Sequence, residues 1–390
     1  MSSARGVSEA SGQPTGRLRV GVDVTSLLDA ITGVGTFVRE VVDGLAVRPD
    51  IDLHAFAVSW RGRDRLASVV PEGAHLHTRP MPARIARRAW ARLDQPSARL
   101  LAGPLDVVHG PNYVVPPGGG AVEVVTVHDL TALHHPEMCT PDVLEWPGLL
   151  RRALARGAWV HTVSRFVADE VAEAFPEVGE RLVVVPNGIR LPGPPGATTD
   201  ATAGHDLAGG RRYVLALGTI EPRKDLVGLV RAFEAIAADD ADLRLVVAGG
   251  DGLGADVVHA AAVGSPYANR IALLGRVGDA EREALLRGAS AVAYPSVYEG
   301  FGLVPLEAMS VGVPVVATRT GAIPEVVGDA ALLVEPGDVD ALAAALCRVL
   351  DDAALVEVLA EAGAERLDAF TWERTVAGMA DAYRAAAAGR

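Results

Sequence analysis

Residues Tyr298–Gly312 read Y-E-G-F-G-L-V-P-L-E-A-M-S-V-G, and the rest of the chain can be ordered around them. The apolar run Ala291 to Tyr294 just before this stretch predicts a buried strand, and Leu303 to Val311 predicts a helix. A glycine-rich turn lies between the two. That succession aims the backbone N–H groups of Phe301, Gly302 and Leu303 outward at the positive end of a helix dipole, where an anion is favoured. Pro305 falls in the first turn, where it costs a helix little. Glu299 and Glu307 flank this anion-attracting end, with seven residues between them. Each carboxylate can accept two hydroxyl hydrogen bonds, so the layout suits a ligand anionic in its middle and rich in hydroxyls at both ends. Carboxylates at this spacing also arise by chance, as a turn residue and a solvated helix residue. The G-F-G between them, the strand before and the V-P-V-V-A strand after argue for the site.

A nucleotide-activated sugar has that shape. The segment E-G-F-G-L-V-P-L-E-A-M, with its two glutamates, resembles the signature of glycosyltransferase family 4. The resemblance implies an α/β protein of GT-B architecture, two facing Rossmann-like domains with parallel sheets and a C-terminal helix crossing back to the first domain. It also implies a retaining enzyme in which Glu299 contacts hydroxyls of the donor sugar and Glu307 binds the nucleotide ribose.

The chain has 390 residues, enough for two domains with separate cores. Hydrophobic residues make up 49% and charged residues 22%, the balance of a soluble globular protein. A formal net charge of −13 argues against a nucleic-acid partner, which needs a broad basic face, so any phosphate site must be local. Cys139 and Cys347 lie far apart and supply neither a disulfide framework nor a metal cluster, which fits a reducing compartment. No signal peptide and no uninterrupted apolar span is visible, so a cytoplasmic address is expected, at the inner face of the plasma membrane if the protein docks there. Among 36 cationic residues Lys224 is the only lysine. A single retained ammonium marks a place that wants a compact point charge.

Domain limits are expected as a disordered tail at 1–16, an acceptor-side domain at 17–190, a linker at 191–211 rich in Pro, Gly, Ala and Thr, a nucleotide-sugar domain at 212–370, and a returning helix at 371–390. The first domain opens with a strand from Leu18 to Val24, the turn T-G-V-G-T at Thr32 to Thr36, and a helix. Position 38 is Val, so the dinucleotide fingerprint is incomplete and a tight turn explains the glycines equally well; in the resembled family Gly33 and Gly35 match a loop over the donor diphosphate. Later strands are predicted at 53–58, 107–109, 122–127, 159–163 and 182–185. His109 and Asn112 follow one of these strands, and His128 and Asp129 another, on the carboxyl edge where open α/β sheets bind ligands. Position alone fits a strand-end histidine bonded to backbone as well as a ligand. The resemblance implies that His128 stands against the donor sugar with Asp129 in support, and that His109, Asn112 and Ser164 lie on the acceptor side; Ser164 also reads as a helix N-cap.

In the second domain a strand at Tyr213 to Leu217 runs into G-T-I-E-P-R-K-D, which sets Arg223 and Lys224 at a strand's carboxyl end. The resemblance implies that this pair holds the donor diphosphate, and fixed cations there would stabilise charge gained by the leaving group. Arg276, after the strand at Ile271 to Leu274, matches the family's base-proximal segment or is a surface arginine. The glycine turn at 249–254 reads as structural. Two Asp-x-Asp triplets, Asp50 to Asp52 and Asp338 to Asp340, also read as structural, so neither a metal nor a cofactor is expected beyond the nucleotide-sugar donor. The stretch Pro82 to Leu100 carries five arginines with Ile85, Trp90 and Leu93 interleaved. It fits a basic amphipathic helix with an interfacial Trp touching anionic lipid, and equally an arginine-rich solvated face.

These readings converge on a retaining, metal-independent hexosyltransferase of mannosyltransferase type, moving sugar from a GDP- or UDP-linked donor to a hydroxyl on a lipid-linked, glycan or small-molecule acceptor. A phosphorylase or epimerase on the same scaffold, and a non-catalytic sugar-nucleotide-binding protein, are the alternatives.

Overall fold

The computed structural model describes residues 16–28, 32–60, 62–196, 198–210 and 212–389. The tail expected at the amino end therefore lies, Gly16 apart, outside the described residues.

Two parallel sheets organise the chain. The first contains β1 (Leu18–Asp23), β2 (Ile51–Phe56), β3 (His75–His77), β4 (Val107–Gly110), β5 (Val122–Val127), β6 (Trp159–Thr162) and β7 (Leu182–Val184), in the order β3-β2-β1-β4-β5-β6-β7. The second contains β8 (Tyr213–Leu217), β9 (Arg244–Ala248), β10 (Ile271–Gly275), β11 (Ala291–Tyr294), β12 (Val315–Thr318) and β13 (Leu332–Val334), in the order β10-β9-β8-β11-β12-β13. Both orders reverse direction beside their first strand, and at such a switch point the carboxyl ends of the strands leave a crevice. Central strands are unbroken apolar runs because helices cover both faces, as parallel sheets require; all five residues of β8 are buried.

Trp372–Ala388 forms the returning helix, started by Thr371, whose side chain accepts from Arg374 N. It packs against the first sheet, not the second: Val376, Met379 and Tyr383 join a core with Val20, Phe37 and Leu53. The Thr375 hydroxyl donates to Pro186 O at 2.8 Å.

Two expectations change, and one strand is added. The stretch read as a linker holds a helix, Ala201–Ala208, capped by Asp200 and closed by left-handed Gly209. It is held fast against Asp279–Gly288, since any side chain at Gly204 would overlap the Ala284 carbonyl. Small residues here serve close helix packing, which composition alone does not distinguish from flexibility. The 82–100 stretch is two short helices, Ala83–Trp90 and Ala98–Ala102, and Trp90 is buried, its indole N–H donating to Pro96 O at 2.8 Å. Arg87 is engaged by Asp142. Strand β3 was not foreseen, because H-L-H is too short and too polar to show a strand pattern. No helix among the described residues is long and apolar enough to cross a membrane.

Candidate active site

Helix Leu303–Ser310 follows β11 through a turn that ends at Gly302, whose φ of +117° only glycine adopts without strain. The turn buries Glu299. Across from it, β8 leads to a 3-10 turn, Pro222–Lys224, which ends at Asp225 in the left-handed region, φ +42°. Asp225 then caps the next helix by accepting from Gly228 N at 3.1 Å. This sharp reversal brings both cations onto one carboxylate. Lys224 Nζ donates to Glu299 Oε1 at 2.6 Å and to the Tyr294 hydroxyl at 2.7 Å, and Arg223 Nη1 lies 2.6 Å from Glu299 Oε2. Arg223 also donates to Glu221 at 2.6 Å and to Tyr298 O at 3.0 Å. Burial by itself would raise the Glu299 carboxyl, but Arg223 and Lys224 outweigh it and hold it down at about 2. Burial pushes the Lys224 ammonium down, and Glu299 pulls against that.

Glu307, inside the helix, accepts a short bond from Arg282 on the neighbouring helix Asp279–Gly288. Arg276 is exposed and lies along the 249–254 turn. On the first domain, helix Gly33–Ala46 begins in the T-G-V-G-T turn, where the Thr32 hydroxyl accepts from Gly35 N. A side-chain carbon at Gly33 would stand 3.6 Å from Leu303 Cδ1, so the first residues of these two helices face each other across the domain boundary. Two positive helix ends thus meet at the domain boundary.

His128 sits where β5 ends. Its Nε2 is bonded to Pro111 O at 2.8 Å, and its ring meets Phe37 and Tyr113 edge-on. Burial pushes it below its ordinary value, so the ring is neutral at neutral pH. The carboxylate of Asp129 accepts from Thr131 N at 2.9 Å. Gly300 lies against this corner so closely that any side chain on it would overlap the His128 carbonyl oxygen.

The domains are latched around that point. Ser164 caps Arg165–Ala174 by accepting from Val167 N at 3.1 Å, and the same hydroxyl donates to Gly300 O at 2.8 Å. With its oxygen committed twice and buried, Ser164 joins the two domains. The Glu325 carboxylate accepts from Arg165 N and Phe166 N at 2.9 and 3.0 Å, so a side chain of one domain caps a helix of the other. Tyr298 donates to Glu170 at 2.5 Å and accepts from Leu130 N at 2.9 Å.

His109 departs from the acceptor-side expectation. It is wholly buried, with one ring nitrogen bonded to the Thr126 hydroxyl and the other to the Tyr383 hydroxyl. It ties the sheet to the returning helix. Asn112 is exposed. Sequence reasoning missed Glu221, Arg282, Tyr294, Tyr298 and Glu325. Tyr298 and Tyr294 could have been suspected from their places beside the motif, whereas Arg282 and Glu325 carry no local signal.

A model described as "Glycosyl transferases group 1" matches residues 199–366, and one described as "Glycosyltransferase Family 4" matches residues 31–191. The chain belongs to glycosyltransferase family 4. This transferase is 29% identical over 376 residues to O-antigen chain mannosyltransferase B of Escherichia coli, covering 91% of this chain and 96% of the relative. It is 30% identical over 329 residues to the MMP alpha-(1->4)-mannosyltransferase of Mycolicibacterium hassiacum, covering 75% and 74% respectively. Its fold is similar to that of HepE of Anabaena in a complex with UDP-glucose, with a TM-score of 0.67 and 18% identity over 94% of this chain and 99% of that one. The transferase thus has the two-domain GT-B architecture.

Proposed function

We propose that this glycosyltransferase moves a hexose from a nucleoside diphosphate to an acceptor hydroxyl with retention and without a metal. The observation that carries the reading is Glu299 bound by Arg223 and Lys224 at 2.6 Å each. Because Glu299 accepts from both cations, donor binding is an exchange. Diphosphate oxygens replace the carboxylate as acceptors of Arg223 and Lys224, and the released Glu299 turns to sugar hydroxyls. Neutral His128 faces the same sugar without adding charge. Glu307, steadied by Arg282, accepts from the ribose hydroxyls. Arg276 stands near the base.

In the reaction the acceptor oxygen bonds to the anomeric carbon, and the bond from that carbon to the diphosphate oxygen breaks. Its electron pair stays on the diphosphate, which takes up the acceptor proton on the same face. Fixed cations and helix ends stabilise the growing charge, so the reading requires no metal ion. The mannosyltransferase relatives favour GDP-mannose as donor, and HepE with UDP-glucose supports a uridine donor as the rival. For the acceptor, the exposed Ile85, Leu93 and Leu100 among Arg84, Arg88, Arg92 and Arg99 support a lipid-linked one presented at an anionic membrane.

The test is a thermal-shift panel of GDP, UDP, dTDP, ADP and CDP on the wild type and on Lys224→Ala, followed by product analysis with and without acceptor. At a hundredfold its dissociation constant one diphosphate should add about 2.7 kcal/mol of stability. That gain should vanish in Lys224→Ala. No shift with any nucleotide, or turnover that needs free phosphate, would overturn the reading.

A further inference from the structure

The outer edge of the first sheet carries a cluster that sugar transfer does not use. Asp52 and His54 alternate onto one face of β2, and His75 and His77 onto one face of β3. The register pairs His54 with His75, so both sets project to the same side. Asp52 Oδ2 lies 3.4 Å from His54 Nε2, and Asp52 Oδ1 lies 3.1 Å from His75 Nε2. One ligand atom each from Asp52, His54 and His75 falls within 4.8 Å of the others. The rings of His54 and His75 are 4.9 Å apart between centroids.

His77 completes the arrangement from behind. Its Nε2 shares a hydrogen bond of 2.9 Å with His54 Nδ1, and the two rings stack. Facing a carboxylate, which only accepts, His54 Nε2 donates to Asp52 and Nδ1 accepts from His77; an ion at Nε2 takes the place of that proton, and the ring then carries its proton on Nδ1, towards His77. A ligating histidine is ordinarily fixed in this way by a partner on its other nitrogen. Arg19, beside Asp52 in the register of β1 and β2, donates to Asp106 at 2.9 Å, and its charge also acts on Asp52 and His54.

We propose that Asp52, His54 and His75 form a zinc site that clips the three-residue edge strand β3 to β2, with His77 positioning the His54 ring. Two imidazoles and one carboxylate suit a borderline first-row ion and not calcium or magnesium. Zinc bonds of about 2.0–2.2 Å in a tetrahedron set ligand atoms about 3.3 Å apart, so the widest gap closes by at most roughly 1.5 Å. His75, 63% exposed, has the freedom to make that move. Three ligands leave a fourth position for water. The site lies beyond β1 from β4 and β5, hence apart from the donor cleft. An edge strand this short has little of its own to hold it, and a metal clip there closes the sheet margin.

The test uses untagged, chelator-stripped enzyme titrated with Zn²⁺ by calorimetry, with thermal melts alongside. One equivalent should bind and raise the Tm. Both effects should be lost in His75→Ala, whose exposed position leaves the fold and the rate of sugar transfer intact. His77→Phe should weaken binding by about 10–100-fold without removing it. Absence of binding, or unchanged binding in His75→Ala, would overturn the proposal; the second result would assign the ion to other groups such as Cys139 or the donor cleft.

Discussion

The two halves of this transferase share one strand order and opposite chemistry at their strand ends. In the first half, β4, β5 and β6 end around His109, His128 and His161, all pushed below their ordinary values by burial and so neutral. In the second half, β8 and β11 end at Arg223, Lys224 and Glu299, ionised and paired. The lesson is that one scaffold can carry either a row of neutral histidines or a set of fixed charges, depending on whether buried groups find a counter-ion. His161 has only a hydroxyl and a carbonyl as partners, at 2.9 Å each, so it sheds its proton. Glu299 has two cations, so it keeps its charge.

The sharpest way to break this contrast is to neutralise the charged half. Glu299→Gln should lower kcat by on the order of 10²–10³, as loss of a preorganised electrostatic contact does, while the Tm still responds to the preferred diphosphate. Full activity in that variant would remove Glu299 from the mechanism. Next in size is separation of the halves. Gly300→Ala places a methyl group against the His128 carbonyl, and a misplacement of about 1 Å should cost about 10² in kcat/KM. The measurement is steady-state kinetics together with nucleotide affinity, which should change little because Arg223 and Lys224 stay in place.

Acid should then distinguish the halves by stability. His161 is lowered from 6.5 to about 4, so the unfolded chain takes up its proton first and stability falls as pH drops from 6.5 towards 4, by about 3 kcal/mol. Glu299 is depressed from 4.5 to about 2, so its contribution is intact at pH 5 and is lost only as pH falls from 4.5 towards 2. The five tryptophans, Trp60, Trp90, Trp146, Trp159 and Trp372, belong to the first half or to the helix packed on it. Denaturant melts followed by tryptophan fluorescence should therefore weaken below pH 6.5 before any nucleotide-binding loss. A flat profile between pH 6.5 and 5 would contradict neutral burial of these rings. The smallest effect is expected from Tyr298→Phe, which removes one donor and one acceptor at the latch and keeps the ring against Phe166. It should lower stability by about 1 kcal/mol, read as a shift in Tm.

Legibility in the sequence followed the range of each interaction. The stretch around Glu299 was readable because strand, turn and helix signals all lie within a few residues of the groups they position. Lys224 was readable from its solitude among arginines. The burial of His109 was not legible because its partners, Thr126 and Tyr383, come from other parts of the chain, the second from the far end. Trp90 looked interfacial because helical periodicity continues through 82–100, whereas the chain turns there and folds the indole onto Pro96. Strand β3 exists only because β2 offers it a hydrogen-bonding edge.

By itself the sequence determined the class of fold, two Rossmann-like α/β halves, and singled out the groups proposed to face a diphosphate, since these depend on local periodicity, glycine turns and charge type. Only the tertiary structure decided which charges pair and which rings stay neutral. Arg282 reaches Glu307, Glu325 caps a helix of the opposite domain, and His54 meets His75 across a strand pair that no local pattern announces. The physical reason is that burial and counter-ion distance set ionisation, and both are properties of packing.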